Sequence, residues 1–131
     1  MTMPLLTALV APLALQAAAA NPPAKLESFA DLPITASTAP RCGIAFAMVE
    51  GWQSAGDPRG AAWPDIASTG GREFFVVAMA RLIDSHGLER EDVSRLVSAE
   101  VAKHEADNGE AVAAMMPACL ALLETSGIQG E

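Results

Sequence analysis

The chain is poor in the residues on which many functions depend. It contains no tyrosine, two histidines and eight lysines or arginines among 131 residues. The basic residues are scattered from Lys25 to Lys103, whereas nucleic-acid binding needs a concentrated basic patch. Sixteen acidic residues give a formal net charge of −8, which also opposes binding to an anionic membrane surface. We therefore predict neither a nucleic-acid partner nor a membrane partner for the processed chain.

Recognisable catalytic motifs are also missing. No serine stands in a nucleophile-elbow motif, and no glycine-rich loop follows a strand pattern. His104-Glu105 matches the opening of a zinc-protease motif, but Asn108 stands where the second histidine belongs. Glu100 and His104 are one helical turn apart, the spacing of a surface pair. His86 is expected to cap a helix C-terminus, where the dipole favours a cation. We predict no catalytic residues, no cofactor and no metal, and a non-catalytic protein.

The first twenty residues, Met1–Ala20, have the composition of an export signal. They carry no charged side chain, and an apolar run from Leu5 to Leu15 precedes a small-residue tail at Ala17–Ala20. This pattern is typical of a cleavable secretory signal, with Asn21 as the mature N-terminus. The alternative is an uncleaved anchor, which needs about 20 apolar residues to cross a bilayer. The preferred interpretation predicts a periplasmic or extracellular protein.

Cys42 and Cys119 are the only cysteines. In an oxidising compartment such a pair normally forms a disulfide, which here would join the first and last predicted helices. Two buried free thiols are the alternative. Met115 and Cys119, four residues apart on one helix, would otherwise suit a copper(I) ion, although methionines more often fill a core.

Helical periodicity predicts an all-α fold, a small four-helix bundle-like domain at residues 41–127 behind an extended proline-rich arm at residues 21–40. In the arm, Leu26, Phe29, Leu32 and Ile34 are candidates for packing onto the domain. Apolar residues on two rows of the first helix predict neighbours on more than one of its sides. The predicted helices are Pro40–Gln53 with Thr38 as N-cap, Gly71–His86 capped by Ser68 or Thr69 and ended by Gly87, residues 89–107, and Glu110–Glu124 with a kink at Pro117.

Trp52 and Trp63 flank or lie within an unusually long loop, residues 54–68, which has turn signals and no period. Trp63 is expected to cover the core or to belong to a contact surface, since large aromatic side chains usually find burial. We interpret the two tryptophans and the loop as a possible interaction surface for a protein or small-molecule partner. The predicted function is therefore binding or structural support in the cell envelope.

One known family is similar in plan. A secretion signal, an acidic helical domain, Arg41-Cys42 followed by Phe46 at the head of a helix, and Ala118-Cys119 in a late helix resemble the small periplasmic acid-stress chaperones of the HdeA type. The cysteine separation of 77 positions is longer than in that plan, and Thr125–Glu131 contains no basic residue. The resemblance implies an alternative function as an acid-responsive chaperone whose apolar helix faces become exposed at low pH. An enzyme or a soft-metal-binding protein is a second alternative.

Overall fold

Two long helices, α1 (Ile34–Ser54) and α4 (Gly71–His86), form the centre of the fold. The computed structural model describes residues 26–130, so the predicted signal, its cleavage site and the first prolines of the arm lie outside the described residues. The remaining helices are α2 (Pro58–Ala61), α3 (Ile66–Thr69), α5 (Arg90–Ala106) and α6 (Glu110–Ser126). No strand occurs between residues 26 and 130, and the all-α bundle-like prediction is confirmed.

Helices α1 and α4 run antiparallel in close contact. Gly43 lies against Phe75, and Gly71 lies against Phe46, so the pairing runs in opposite directions along the two helices. A Cβ atom at Gly43 would lie 3.0 Å from the Cα atom of Phe75, which is closer than an ordinary van der Waals contact. The missing side chain at Gly43 therefore allows the two backbones to approach.

The central pair buries apolar residues on both of its sides, as the two-row pattern predicted. On one side α6 and α3 close a cluster that we call the disulfide core; on the other side α5 and the N-terminal arm close the arm core. The disulfide core comprises Cys42, Ala45, Phe46, Val49, Ile66, Phe74, Ala78, Val112, Met116, Cys119 and Leu123. The arm core comprises Phe29, Leu32, Ile44, Met79, Leu82 and Leu96.

The described part of the arm, residues 26–33, folds onto the domain through one 3₁₀ turn, Phe29–Asp31. Ser28 and Asp31 form a capping box around this turn, which satisfies backbone N–H groups at its start. Phe29 is fully buried and Leu32 nearly so, whereas Ile34 is 80% exposed. The expectation of packing is confirmed for Phe29 and Leu32 and is wrong for Ile34.

Helix α1 begins six residues before the predicted start at Pro40. Its N-cap is Pro33, and the Thr38 hydroxyl donates to the Ile34 carbonyl at 2.7 Å, so Thr38 lies inside the helix instead of capping it. Residues 34–40 are therefore helical and not extended. Burial of Ser37 and Pro40 against the neighbouring helices offsets the loss of one helical hydrogen bond at the proline.

The stretch from residue 54 to residue 68 also has more structure than predicted. It contains α2 and the first three residues of α3, each helix a single turn. Asp57 caps α2 by accepting a hydrogen bond from the Arg59 N–H, and Pro58 occupies the first helical position, where its missing N–H costs nothing. This Asp-Pro pair is a helix-start signal, and it identifies α2 in retrospect.

The bounds of α4 match the prediction at both ends. Gly87 adopts a positive φ of 59°, and the Leu88 N–H donates to the Ile83 carbonyl, as in a Schellman motif. The start differs in its cap, because Gly70 and not Ser68 or Thr69 is the N-cap residue. Helix α5 starts after a capping box at Glu89, and α6 continues through Pro117 for two residues beyond the predicted end.

A disulfide joins Cys42 of α1 to Cys119 of α6, with the two Cα atoms 5.2 Å apart. Both residues are at least 96% buried, so the bond lies inside the core and not on the surface. The predicted pairing is confirmed. Among the described helices, none combines the length and the apolar character that crossing a membrane requires.

Candidate functional site

The loop after α1 is held in one conformation by the side chain of Gln53. Its two Nε2–H groups are shared among the carbonyl oxygens of Gly60, Trp63 and Pro64, which lie 3.0, 3.3 and 2.8 Å from Nε2, and its Oε1 atom accepts from the Ile66 N–H at 3.0 Å. One half-buried amide thus satisfies four backbone groups across thirteen positions of sequence. The loop has a defined shape because these groups would otherwise lose partners on leaving water.

Arg59 fixes the outer side of the same loop. Its guanidinium carbon lies 4.5 Å from the ring centre of Trp52, a cation–π distance. The Arg59 guanidinium donates to both carboxylate oxygens of Asp57, the shortest contact being 2.6 Å, and it reaches the side-chain oxygen of Asn108 at 3.3 Å. The loop is therefore tied to the turn between α5 and α6.

The Arg59 contacts alter the acid–base properties of Asp57. Side-chain hydrogen bonds from Arg59, followed by the hydrogen bond from its backbone N–H, lower the pKa of Asp57 from 3.8 to about 2. The same side-chain hydrogen bonds raise the pKa of Arg59. Asp57 therefore keeps its charge, and with it the cap of α2, in solutions considerably more acidic than an ordinary aspartate tolerates.

Trp52 and Trp63 are both half-buried, and each packs against the disulfide core with part of its ring. The Trp52 indole also lies over Gly109, where a Cβ atom would come within 2.5 Å of the ring. Trp63 therefore covers the core with part of its ring, as one of the two predicted roles requires, and the remainder of the ring is accessible. We call Trp52, Trp63 and loop residues 54–65 the tryptophan face.

An open cavity of about 350 Å³ lies within the tryptophan face. Trp63 and Gln53 line it together with small residues of the loop, and Asp57 and Asp65 contribute its carboxylates. Its size is at the lower end of the range for small-ligand sites. The arrangement offers an aromatic surface beside negative charge, which suits a partner that presents an apolar group close to a cation.

Glu100 and His104 form a second constellation, and the structure overturns their assignment as a surface pair. Glu100 is 4% exposed and His104 is 2% exposed. The Oε1 atom of Glu100 accepts from Arg41 Nε at 2.9 Å and lies 3.1 Å from His104 Nε2. Both side chains lie on the buried face of α5 with Leu96, and Arg41 of α1 balances the carboxylate of Glu100.

The His104 ring is only half satisfied. Its Nδ1 atom is buried and has no hydrogen-bond partner among the described residues. With Nε2–H donating to Glu100, Nδ1 carries a lone pair that the surroundings leave unused.

The remaining candidate ligands do not come together as a site. Cys119 is bonded to Cys42, so it has no thiolate for the copper(I) site considered with Met115. Within residues 26–130, no group of three histidine, cysteine, aspartate or glutamate side chains is arranged to hold a metal ion. His86 is exposed in the last turn of α4. Comparison of the chain with known protein families, curated proteins and solved structures found no match.

Proposed function

We propose that this chain is a non-catalytic binding protein of the cell envelope, exported through Met1–Ala20, and that it recognises its partner through the tryptophan face. The observation that carries the proposal is the preorganisation of this face. Gln53 and Arg59 fix the loop, and the cavity beside Trp63 is already open. A surface that is ordered before binding loses little conformational entropy when a partner arrives.

The residue types of the tryptophan face also support binding. Tryptophan and arginine are the side chains most enriched among residues that dominate interface energies. Trp52 and Trp63 each keep part of a large ring accessible, and Arg59 holds the first of these rings in place. Because Asp65 lines the cavity and forms no ion pair with the described residues, whereas Asp57 is paired with Arg59, we expect a partner with an apolar group next to a positive charge that meets Asp65.

The two tryptophans are the natural reporters of this interaction. The chain contains two tryptophans and no tyrosine, so its near-ultraviolet fluorescence arises from the proposed face alone. Partners would be recovered from the envelope fraction of the native host on immobilised protein and identified by mass spectrometry. Each purified candidate would then be titrated while tryptophan emission is recorded in the single variants Trp52→Phe and Trp63→Phe.

The decisive comparison uses the double variant Trp52→Ala/Trp63→Ala. We expect it to lose partner recovery, whereas Val76→Ala, an exposed apolar residue on α4 (60% exposed), keeps it. Because both rings pack on the core, the stability of each variant is measured by urea unfolding before binding is compared. Unchanged stability together with unchanged recovery in the double variant contradicts the proposal. Export is tested by the intact mass of the protein from the native host. A mass that begins at Asn21 supports export with cleavage of the signal, and a mass that begins at Met1 contradicts cleavage.

The acid-responsive chaperone is the second candidate, and the buried cluster of Arg41, Glu100 and His104 favours it. The cluster joins α1 to α5 through this one carboxylate, and removal of its charge would leave the Arg41 guanidinium without its buried partner, which favours opening of the α1–α5 contact. Loss of charge from the sixteen acidic residues below about pH 4 would act in the same direction. A protein that remains monomeric and folded at about pH 2–3, and does not suppress client aggregation there, excludes this function.

A further inference from the structure

A second cavity lies at the opposite end of the central helix pair from the tryptophan face. It is a groove of about 390 Å³ between the first half of α1 and the second half of α4, closed on its third side by the end of α6 and the segment after it. We call it the α1–α4 groove. Its apolar lining includes Phe74, Val77, Leu82 and Ile128.

The charge of the α1–α4 groove differs from that of the chain as a whole. Arg81 and His86 line it, and no aspartate or glutamate among residues 26–130 does so, although the chain has sixteen acidic residues. The cavity of the tryptophan face, in contrast, is lined by Asp57 and Asp65. The described lining of the groove is therefore largely apolar and carries a guanidinium but no carboxylate, on an acidic protein.

Arg81 has no carboxylate to neutralise it within the described part of the chain. Arg41, Arg59, Arg72 and Arg95 each form an ion pair, whereas Arg81 forms none. The N-terminus of α1 and the C-termini of α4 and α6 meet at this end of the groove, so the helix dipoles supply no net positive charge there. Among the described lining residues, the guanidinium of Arg81 is the one permanent positive charge.

We propose that the α1–α4 groove binds a small amphipathic carboxylate, with its hydrocarbon part on the apolar lining and its carboxylate on Arg81. The α4 residues from Phe74 to His86 cover about 18 Å of helix axis, enough for a short alkyl chain to lie along the groove. The guanidinium presents N–H groups in the geometry that a carboxylate accepts. Thr35 and Ser85, also in the lining, supply hydroxyl groups at the same end.

The test is calorimetric titration of the purified chain from Asn21 to Glu131 with sodium octanoate. The octanoate concentration stays below the concentration at which octanoate forms micelles. Octylammonium chloride and 1-octanol, which have the same chain length, serve as the cationic and neutral probes. We expect saturable binding of octanoate, no binding of octylammonium, and weaker binding of octanol. Failure of octanoate to bind, or equal binding of octylammonium, overturns the proposal.

Two pairs of variants place the ligand in the α1–α4 groove. Arg81→Gln should weaken octanoate about tenfold or more, as expected for loss of a charged hydrogen bond, and should leave octanol unaffected. Arg90→Gln removes an arginine on α5 that also forms no ion pair with the described residues and should change neither affinity. Val77→Gln should weaken both probes, whereas its exposed neighbour Val76→Gln should weaken neither.

Two further readouts distinguish ligand binding in the α1–α4 groove from binding at the tryptophan face and from self-association of the chain. Trp52 and Trp63 do not line the α1–α4 groove, so octanoate should leave tryptophan emission unchanged, and failure of either site leaves the other intact. Unchanged octanoate affinity in Arg81→Gln overturns the proposal even if octanoate binds. Self-association that Arg81→Gln abolishes would assign the groove to a second copy of the chain and overturn it as well.

Discussion

Reduction of the Cys42–Cys119 disulfide should remove a large share of the stability of this domain. The bond closes a span of 77 positions, for which the loop-entropy relation gives about 4.5 kcal/mol. A small domain has roughly 5–15 kcal/mol in total. Since each kcal/mol shifts the melting temperature of a domain of this size by about 4–8 °C, we expect Tm to fall by roughly 20 °C or more.

The comparison should use the wild-type chain in its oxidised and reduced forms, so that every side chain is retained. Both sulfur atoms lie in the disulfide core, and therefore the protein is reduced in denaturant and refolded with reductant present. Urea unfolding followed by circular dichroism gives the free energy of unfolding and its slope with denaturant. The slope should rise on reduction, because a chain without the cross-link exposes more surface when it unfolds.

The slope of the unfolding free energy with urea shows whether the disulfide stabilises the fold by restricting the unfolded chain. If the bond acts by restricting the unfolded chain, the free energy of unfolding falls by about 4.5 kcal/mol on reduction and the slope rises. A fall below about 1 kcal/mol with an unchanged slope would refute this reasoning, since the unfolded chain would then be equally compact in both forms. If the reduced chain is unfolded in buffer, an osmolyte titration gives its free energy from the other direction.

Three further changes test the two constellations of the site. Gln53→Ala should cost about 2 kcal/mol and speed amide hydrogen exchange in loop residues 54–65; unchanged exchange would contradict the bridging role. Asp57 should titrate near pH 2 when its carboxyl carbon is followed by NMR. The stabilisation that its charge contributes is therefore present above its ordinary pKa of 3.8 and is lost as the pH falls through about 2. The variant Arg59→Gln should return the pKa of Asp57 toward 3.8. Glu100→Ala should cost about 3 kcal/mol in urea unfolding because it leaves Arg41 without its buried partner; a loss below about 1 kcal/mol would show that water replaces the carboxylate.

The parts of the fold that could be predicted are those whose signals are local. Gly87 and Leu88 specify the end of α4 within two residues, and the apolar rows of α4 identify both cores. The start of α1 was missed because a proline is typical of the first turn of a helix, which favoured a start at Pro40, whereas the burial of Pro40 inside a longer helix is a tertiary effect. A tertiary contact of this kind leaves no mark in the adjacent sequence.

In the candidate site, too, the residues with a local signal could be predicted, and those placed by tertiary contacts could not. Trp52 and Trp63 stand out by residue type, and the disulfide followed from the expected compartment and the number of cysteines. The pairing of Arg41 with Glu100 spans 59 positions, and nothing in the spacing of α5 reveals which residue of α1 faces it. Glu100 lies at helical spacing from Leu96 and Val97, and a carboxylate beside apolar residues on one helix face is the signal that should have suggested burial.

The Cys42–Cys119 bond divides the chain into a covalent ring and two free ends. Residues 42–119 form the ring, and α4 with its Arg81 lies inside it. The other walls of the α1–α4 groove come from outside the ring, from Thr35 to Pro40 on one end and from Ser126 and Ile128 on the other. Terminal segments open at a lower free energy than a cross-linked core. Local release of either end would therefore open the groove, and its return would close the groove, while the ring stays folded. A ligand seated there would hold both ends of the chain against the same helix, and its affinity would be read out as protection of the termini from proteolysis.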